Sequence, residues 1–185
     1  MSGNSDGKAV RKKLSRNTKI VAITAVVLTL AVASLAFMSR GYIAERKALQ
    51  DSGGFLITAG GESIAVTMRV IENIDLRLID ANYKTNLLAA VRKQYTGVPL
   101  VSLFDYLGVD YSAARSVVFS ASDGYGSAAP IADALDAGNC FIVFEEAGKP
   151  LGTRETGGTG PFMLIFANDR FSQRWCKYLL EITIS

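Results

Sequence analysis

Residues 140–151, with the sequence CFIVFEEAGKPL, are the stretch from which the fold is interpreted. The first six of them are mostly aromatic and β-branched side chains, which favour strands. Residues 147–150 (AGKP) are typical of a chain reversal, because glycine and proline accept the backbone angles that turns require. The sequence therefore predicts a strand over 140–145 that ends in a tight turn.

The stretch before this strand predicts a helix. Leu100, Leu103, Phe104 and Leu107 recur at the spacing of one helical face. A proline precedes them and a glycine follows them, which are the residues that begin and end helices. We therefore predict an amphipathic helix over 99–108.

The remaining elements are predicted from apolar alternation or helical spacing. Residues 82–94 are left open between a helix and a loop with a short strand. Because strands and helices alternate irregularly, we predict an α+β fold with a mixed sheet. The other predicted strands are 64–70, 74–78, 116–121, 162–167 and 182–184, and the other predicted helices are 130–136 and 171–180.

Composition limits the chemistry that this chain can perform. Of its 185 residues, 49% are hydrophobic and 20% are charged, which is typical of a globular protein. The chain contains no histidine, so it cannot form a Ser-His-Asp triad, a Cys-His pair or a zinc site with imidazole ligands. Most familiar hydrolase mechanisms are therefore excluded.

Positive charge is concentrated at the N-terminus. Residues 1–19 have a net charge of +5, whereas the whole chain has a net charge of +3. A nucleic-acid-binding protein instead spreads basic residues over the surface of its folded domain. We therefore expect no nucleic-acid partner.

Residues 20–38 carry no charge and predict a transmembrane helix, since nineteen helical residues nearly span the roughly 30 Å bilayer core. The positive-inside rule makes the basic residues 1–19 a cytoplasmic tail of a single-pass protein in the cell membrane. Residues 39–61 are then a stalk, and residues 62–185 form one extracytoplasmic domain. The alternative is a cleaved signal peptide, for which the small residues at 31–36 offer cleavage sites.

Two glycine-containing segments are candidate ligand-binding loops. Residues 157–160 (GGTG) are interpreted either as backbone N–H donors for a phosphate or as a plain flexible loop. Residues 123–126 (DGYG) are interpreted as a turn in preference to a ligand-binding segment, because tight turns need aspartate and glycine. The acidic residues Asp133, Asp136, Glu145 and Glu146 are interpreted as solvated surface rather than as paired catalytic carboxylates.

Cys140 and Cys176 leave two alternatives open. In an oxidising compartment outside the membrane they can form a disulfide. Each cysteine also lies among large apolar residues, which favours two separate thiols in the core.

Several short motifs follow one another in order along residues 62–184. They are Gly97-Val98-Pro99-Leu100, Asp123-Gly124-Tyr125, Gly148-Lys149-Pro150-Leu151, Gly160-Pro161-Phe162 and Arg174-Trp175-Cys176-Lys177. Their succession resembles the compact, membrane-anchored extracytoplasmic members of the sulfite oxidase-type molybdopterin-binding domain family. The resemblance implies a mixed α+β fold whose loops surround a molybdopterin, with molybdenum performing oxygen-atom or electron transfer.

The resemblance also implies a set of cofactor-binding candidates. If the side chains of Asp123, Tyr125, Lys149, Arg154 and Thr156 converge on one pocket of about 300 Å³ or more, ligand binding is retained. If Phe162 or Met163 fills the cleft, the fold is left without its site. The candidates are Asp123, Gly124, Tyr125, Lys149, Arg154, Thr156 and Gly160.

The sequence departs from active members of that family in two places. Their metal is held by the cofactor's dithiolene sulfurs and by one cysteine upstream of the GVPL motif, but residues 66–98 of this chain contain no cysteine. Active members also tend to have a histidine before the Gly-Pro loop and an arginine after it, where this chain has Thr156 and Met163. The cations that compensate, if they share one cleft, are Lys149, Arg154 and Arg170.

Two functions follow from the resemblance. The preferred one is a membrane-tethered, non-catalytic module that binds a small-molecule ligand or a membrane or extracytoplasmic protein partner. The alternative is an oxidoreductase subunit that still binds molybdopterin, with metal coordination completed by another chain. We therefore predict no catalytic residue and no metal ligand in this chain.

Overall fold

The computed structural model describes residues 24–34, 49, 53–84 and 89–185 of the chain. The chain divides into two compact units, Met1–Ala44 and Glu45–Ser185. In the first unit, residues 24–34 are helical and their side chains are exposed. Within the described residues, no helix has both the length and the apolar character that crossing a membrane requires. The predicted tail and the rest of the predicted 20–38 span lie outside the described residues.

The second unit contains ten strands and three short helices among its described residues. The strands are β1 (Phe55–Ala59), β2 (Glu62–Val66), β3 (Arg77–Tyr83), β4 (Val91–Pro99), β5 (Ser116–Ala121), β6 (Gly126–Pro130), β7 (Cys140–Glu146), β8 (Lys149–Pro150), β9 (Met163–Phe166) and β10 (Leu179–Ile184). The helices are α1 (Met68–Ile71), α2 (Leu100–Leu107) and α3 (Ile131–Ala134), and a 3-10 turn follows at Ser172–Arg174.

The strands form two sheets. The first sheet has the order β2-β1-β10-β5-β6, and the second has the order β3-β4-β7-β8, with β9 pairing β7 as well. The pair β1 and β10 is parallel, and the other pairs of the first sheet are antiparallel. The predicted α+β fold with a mixed sheet is therefore confirmed.

One hydrophobic core joins the two sheets. Phe119 of the first sheet packs edge-on against Phe166 of the second, with 6.0 Å between the ring centroids. Phe55 meets Phe162 in the same way at 5.2 Å. All four rings are fully or almost fully buried. Burial of such aromatic and aliphatic surface is the main force that holds the sheets together.

The helix α2 confirms the sequence prediction. Leu100, Leu103 and Phe104 are buried, as their spacing predicted. Gly108 ends the helix with a left-handed backbone at φ 66°, which costs glycine little because it has no Cβ. Pro99 stands immediately before the first helical residue, where its missing N–H is not needed.

Three predicted elements differ from the structure. Met68 and Val70 lie in α1 rather than in a strand, because the chain turns at Thr67 and packs Ile71 into the core. Residues 74–76 precede β3 instead of forming a strand. The predicted helix 171–180 is wrong: only Ser172–Arg174 form a 3-10 turn, and β10 already begins at Leu179. The ambiguous stretch 82–94 contains the end of β3 and the start of β4.

Four strands were not predicted: β1, β4, β6 and β8. The segment Phe55–Ala59 falls inside the predicted stalk, but it forms the buried strand β1 beside β10. The segment Gly126–Pro130 falls partly inside the predicted turn, but it forms the edge strand β6. The part of the predicted stalk from residue 55 onward therefore belongs to the domain.

Candidate functional site

Three loops meet where β5, β9 and β10 begin or end: residues 122–125, 151–161 and 171–178. The N–H of Ser122 donates to the carbonyl of Tyr178 at 3.0 Å. The N–H of Tyr178 donates in turn to the carbonyl of Thr159 at 2.7 Å. Tyr178 is therefore the residue at which the three loops are joined.

The side chain and backbone of Tyr178 are both constrained. Its φ of 52° lies in the left-handed region that is uncommon for a residue with a side chain. Its hydroxyl donates to the carbonyl of Gly158 at 2.6 Å, and the guanidinium of Arg154 lies 5.4 Å from its ring centroid. Such strained and stacked positions persist only where the surrounding structure holds them.

The glycine loop 157–160 is internally bonded. The N–H groups of its four residues donate to the carbonyls of Arg154, Thr153, Leu151 and Gly152, respectively. They are therefore not free to cradle a phosphate, so that alternative of the sequence analysis is wrong. The loop is also more than a flexible connection, since its own hydrogen bonds fix its path.

Two glycines of this loop allow a close approach of backbones. A Cβ on Gly160 would lie 2.7 Å from the Cα of Tyr178, and the φ of Gly160 is 101°. A Cβ on Gly158 would overlap the carbonyl oxygen of Leu151. Both positions therefore require glycine.

A pocket of about 310 Å³ lies among the three loops. Of the predicted cofactor-binding residues, Arg154 and Gly160 line it. Phe162 and Met163 do not fill it, because both side chains are buried in the core and 1% exposed. The other lining residues are Gly54, Ser122, Thr153, Glu155, Pro161, Tyr178 and Leu179.

The other predicted site residues do not line the pocket, so the predicted convergence of five side chains on one pocket is not observed: only Arg154 of the five lines it. Asp123 accepts a hydrogen bond from the N–H of Tyr125 at 3.0 Å, so the predicted turn is confirmed. The Tyr125 hydroxyl donates to the carbonyl of Gln173, which ties this turn to the segment 171–178. Gly124 provides the positive φ of the turn, at 87°.

Thr156 and Lys149 have structural surroundings of their own. The Thr156 hydroxyl bonds both the N–H and the carbonyl of Thr153 at 3.0 Å, within the loop. Lys149 lies in β8 opposite Glu146 and is exposed. Arg170 lines a different pocket from Arg154. The three cations Lys149, Arg154 and Arg170 therefore do not share one cleft.

Arg174 fixes the segment 171–178 against α3. Its guanidinium bonds both oxygens of Asp169, at 2.6 and 2.7 Å, and one oxygen of Asp133 at 2.7 Å. It also lies 4.1 Å from the ring centroid of Phe166. The hydrogen bonds to the carboxylates of Asp169 and Asp133 raise the pKa of Arg174 above its ordinary value. Asp133, which the sequence analysis interpreted as solvated surface, is 42% exposed and is also paired with Arg174.

The two cysteines are separate thiols, so the disulfide alternative is not realised. Both Cys140 and Cys176 are 0% exposed. Burial raises the pKa of the Cys140 thiol, and it raises the pKa of the Cys176 thiol to about 12. The carboxylate of Asp123 contributes to the shift at Cys176. Because the thiolate is the form that binds metals and reacts as a nucleophile, neither sulfur is prepared for either role.

This burial predicts slow thiol chemistry and a pH-dependent stability. Folded protein should react with Ellman's reagent at pH 8 far more slowly than protein in denaturant. The stability prediction follows from the pKa of Cys176. Between pH 9 and about 12, the Cys176 thiol stays protonated in the folded protein but ionises in the unfolded chain. The folded state then binds more protons, so the free energy of unfolding falls as pH rises through that window. The Cys176→Ala variant should lose less stability between pH 9 and about 12. For the labelling experiment, rapid reaction of the folded protein with Ellman's reagent would contradict the prediction.

The donor set for a metal is poor in the part of the chain that the structure describes. No group of three or more cysteine, aspartate or glutamate side chains lies close enough there to hold a metal ion. The hydroxyl oxygen of Thr159 is buried and has no hydrogen-bond partner. Sequence reasoning missed Tyr178, Ser122 and Thr153 as pocket residues. Ser122 and Thr153 lie outside the quoted motifs, and Tyr178, immediately after the last motif, has a position that depends on hydrogen bonds to residues 122 and 159.

Comparison with known proteins agrees with the motif resemblance. Residues 62–185 match the protein family described as "Oxidoreductase molybdopterin binding domain". The sulfane dehydrogenase SoxCD from Paracoccus pantotrophus has a similar structure, with a TM-score of 0.60 and 16% sequence identity. The alignment covers 74% of this chain and 38% of the SoxCD chain, so this chain spans well under half the length of the SoxCD chain. The likeness concerns the fold alone. No curated protein matches the chain.

Proposed function

Because this chain belongs to the oxidoreductase molybdopterin-binding domain family, we propose that it is a membrane-anchored, extracytoplasmic member that binds a ligand or a protein partner without metal chemistry of its own. The observation that carries the proposal is the state of its sulfur atoms. The stretch 66–98, where active relatives have their metal-binding cysteine, has none, and Cys140 and Cys176 are fully buried.

A molybdenum centre ligated by this chain does not fit these residues. In active relatives the protein ligand of that centre is a cysteine thiolate, which is a soft ligand, and the corresponding stretch of this chain has no cysteine. To reach a metal in the pocket, Cys176 would have to leave the core and lose its thiol proton, although burial raises the pKa of that thiol to about 12. We therefore assign no catalytic step to the domain.

The pocket among the three loops is the proposed ligand site. Its volume of about 310 Å³ lies at the lower end of the range of small-molecule sites. Arg154 supplies a positive charge that has no carboxylate partner among the described residues, and Tyr178 supplies a ring for stacking. Asp123, Gly124 and Tyr125 support the pocket through Ser122 and Gln173, while Thr156 shapes the loop that carries Arg154.

The alternative function is a subunit that still binds molybdopterin, with the metal completed by another chain. The pocket itself favours it, since the cleft remains open. Stoichiometric pterin in protein from a cofactor-producing host would distinguish this alternative from the preferred function.

The anchor and the orientation are supported by the sequence of residues 20–38 and by the exposed apolar side chains of helical residues 24–34. External protease on intact cells should degrade residues 62–185, while an epitope fused before residue 1 stays protected and remains in the membrane fraction after alkaline extraction. Loss of the epitope from the mature protein would indicate the cleaved signal peptide instead. Protection of the domain would contradict the orientation.

A further inference from the structure

A second cavity lies in the domain, bordered by different residues from the pocket that Arg154 lines. Its volume is about 500 Å³. It is formed between the β1–β2 hairpin, the end of β10 and the segment that follows α2. None of the predicted site residues lines it. The lining residues are Ile57, Ala59, Gly60, Glu62, Ile64, Gly108, Val109, Asp110, Ala113, Ala114, Ile184 and Ser185.

The floor of this cavity is aliphatic. Ile57, Val109 and Ile184 belong to the hydrophobic core and are at most 9% exposed, yet each borders the cavity. Alanines and glycines complete the walls, and a Cβ placed on Gly60 or Gly108 would meet no atom within 4 Å. The cavity therefore has room above an apolar surface and contains no aromatic side chain.

The charge at the rim has one sign. Glu62 at the start of β2 and Asp110 after α2 both line the cavity, and no lysine or arginine does. Neither carboxylate has an ion-pair partner among the described residues. Asp110 accepts a hydrogen bond from the N–H of Ser112 at 2.9 Å, which lowers its pKa and keeps it ionised.

We propose that this cavity binds a small primary aliphatic ammonium ion, with its hydrocarbon chain on the floor of Ile57, Val109 and Ile184 and its charged head at Glu62 and Asp110. Charge complementarity selects the cation, since a carboxylate head would meet two like charges. The aliphatic floor selects the chain, since each buried methylene tightens binding about fourfold. The proposal is independent of the function proposed for the pocket at Arg154.

The test is an NMR titration of the full chain in lipid nanodiscs, with its isoleucine and alanine methyl groups labelled. The probes are butylammonium, hexylammonium, hexanol and hexanoate. We expect chemical-shift changes at Ile57, Ile64 and Ile184. Hexylammonium should bind more than tenfold more tightly than butylammonium and at least threefold more tightly than hexanol. Site-specific methyl signals separate this binding from partition of the probes into the lipid.

Three variants locate the interaction. Glu62→Gln should weaken hexylammonium about threefold and leave hexanol unchanged, because an exposed ion pair contributes little. Ala113→Phe should remove binding by filling the cavity from an exposed position. Glu72→Gln, at an exposed glutamate outside the cavity, is the matched control and should bind as the unmodified chain does.

Three results would overturn the proposal. One is the absence of shifts at the cavity methyl groups with hexylammonium. Another is equal affinity for hexylammonium and hexanol, which would remove the role of the carboxylates. The third is binding that persists in Ala113→Phe, which would place the ligand elsewhere.

Discussion

The Gly97→Ala variant is expected to lose about 3 kcal/mol of unfolding free energy, which is a large part of the stability of a small domain. Gly97 lies in β4, beside an irregularity in its pairing with β7. A Cβ at this position would overlap the carbonyl oxygen of Ile142 and lie 2.8 Å from the Cα of Val143. These are backbone atoms of the central strand β7, so they cannot move aside without disrupting the second sheet.

The matched control is Gly126→Ala. A Cβ on Gly126 would meet only the carbonyl oxygen of Phe119, at an ordinary 3.7 Å, and the residue is exposed. Urea unfolding of the full chain, followed by tryptophan fluorescence of Trp175, measures both variants. Equal midpoints for Gly97→Ala and Gly126→Ala would contradict the assignment of this glycine to close strand packing.

The Arg174→Ala variant is expected to lose about 2 kcal/mol. Three charge-assisted hydrogen bonds disappear, and Asp169 and Asp133 are left without their shared cation. The guanidinium side chain is partly exposed, at 29%, and Asp133 is 42% exposed, so solvent offsets part of the loss. The contact of the guanidinium with Phe166 is lost as well.

A second readout separates this role from a general loss of stability. Because Arg174 holds the segment 171–178 in place, its removal should also speed labelling of Cys176 under conditions in which the protein stays folded. Arg174→Lys keeps the charge but not the two-point contact with Asp169, so it should recover only part of the stability. Arg115→Ala, at an exposed arginine outside this network, is the control. Unchanged stability of Arg174→Ala would contradict the proposed role.

Elements with a strong local pattern could be predicted from the sequence. The apolar spacing of Leu100, Leu103 and Phe104 is reproduced in the buried face of α2, and the β-prone run at 140–145 is reproduced in β7. Both depend on neighbours within a few residues. The irregular order of strands and helices also predicted the mixed sheet correctly. That order depends on which elements are present, and most of them have local sequence patterns.

Elements that depend on distant partners could not be predicted. The strand β1 pairs in parallel with β10, more than 120 residues later, and its flanking glycines resemble a linker. In the segment 171–180, Trp175 and Leu179 lie four residues apart and mimic a helical face. The structure instead pairs Cys176 with Leu164 and gives Tyr178 a positive φ. Tertiary hydrogen bonds override the local preference there.

The candidate site was predicted only in outline. Arg154 and Gly160 line the pocket, and the Asp123 turn stands beside it because Ser122 bonds Tyr178. Lys149 was included because it belongs to the GKPL motif, but its place in β8 serves the hairpin with β7. A motif marks a loop, whereas the path of the backbone decides which of its residues face the pocket.

The central claim is that no sulfur atom of this chain binds a metal. The most direct test is the molybdenum content per chain of the full protein, purified from a host that makes molybdopterin, beside its Cys140→Ser and Cys176→Ser variants. The proposed function predicts a content far below one atom per chain in all three proteins. A content of one atom per chain that either serine variant abolishes would contradict it.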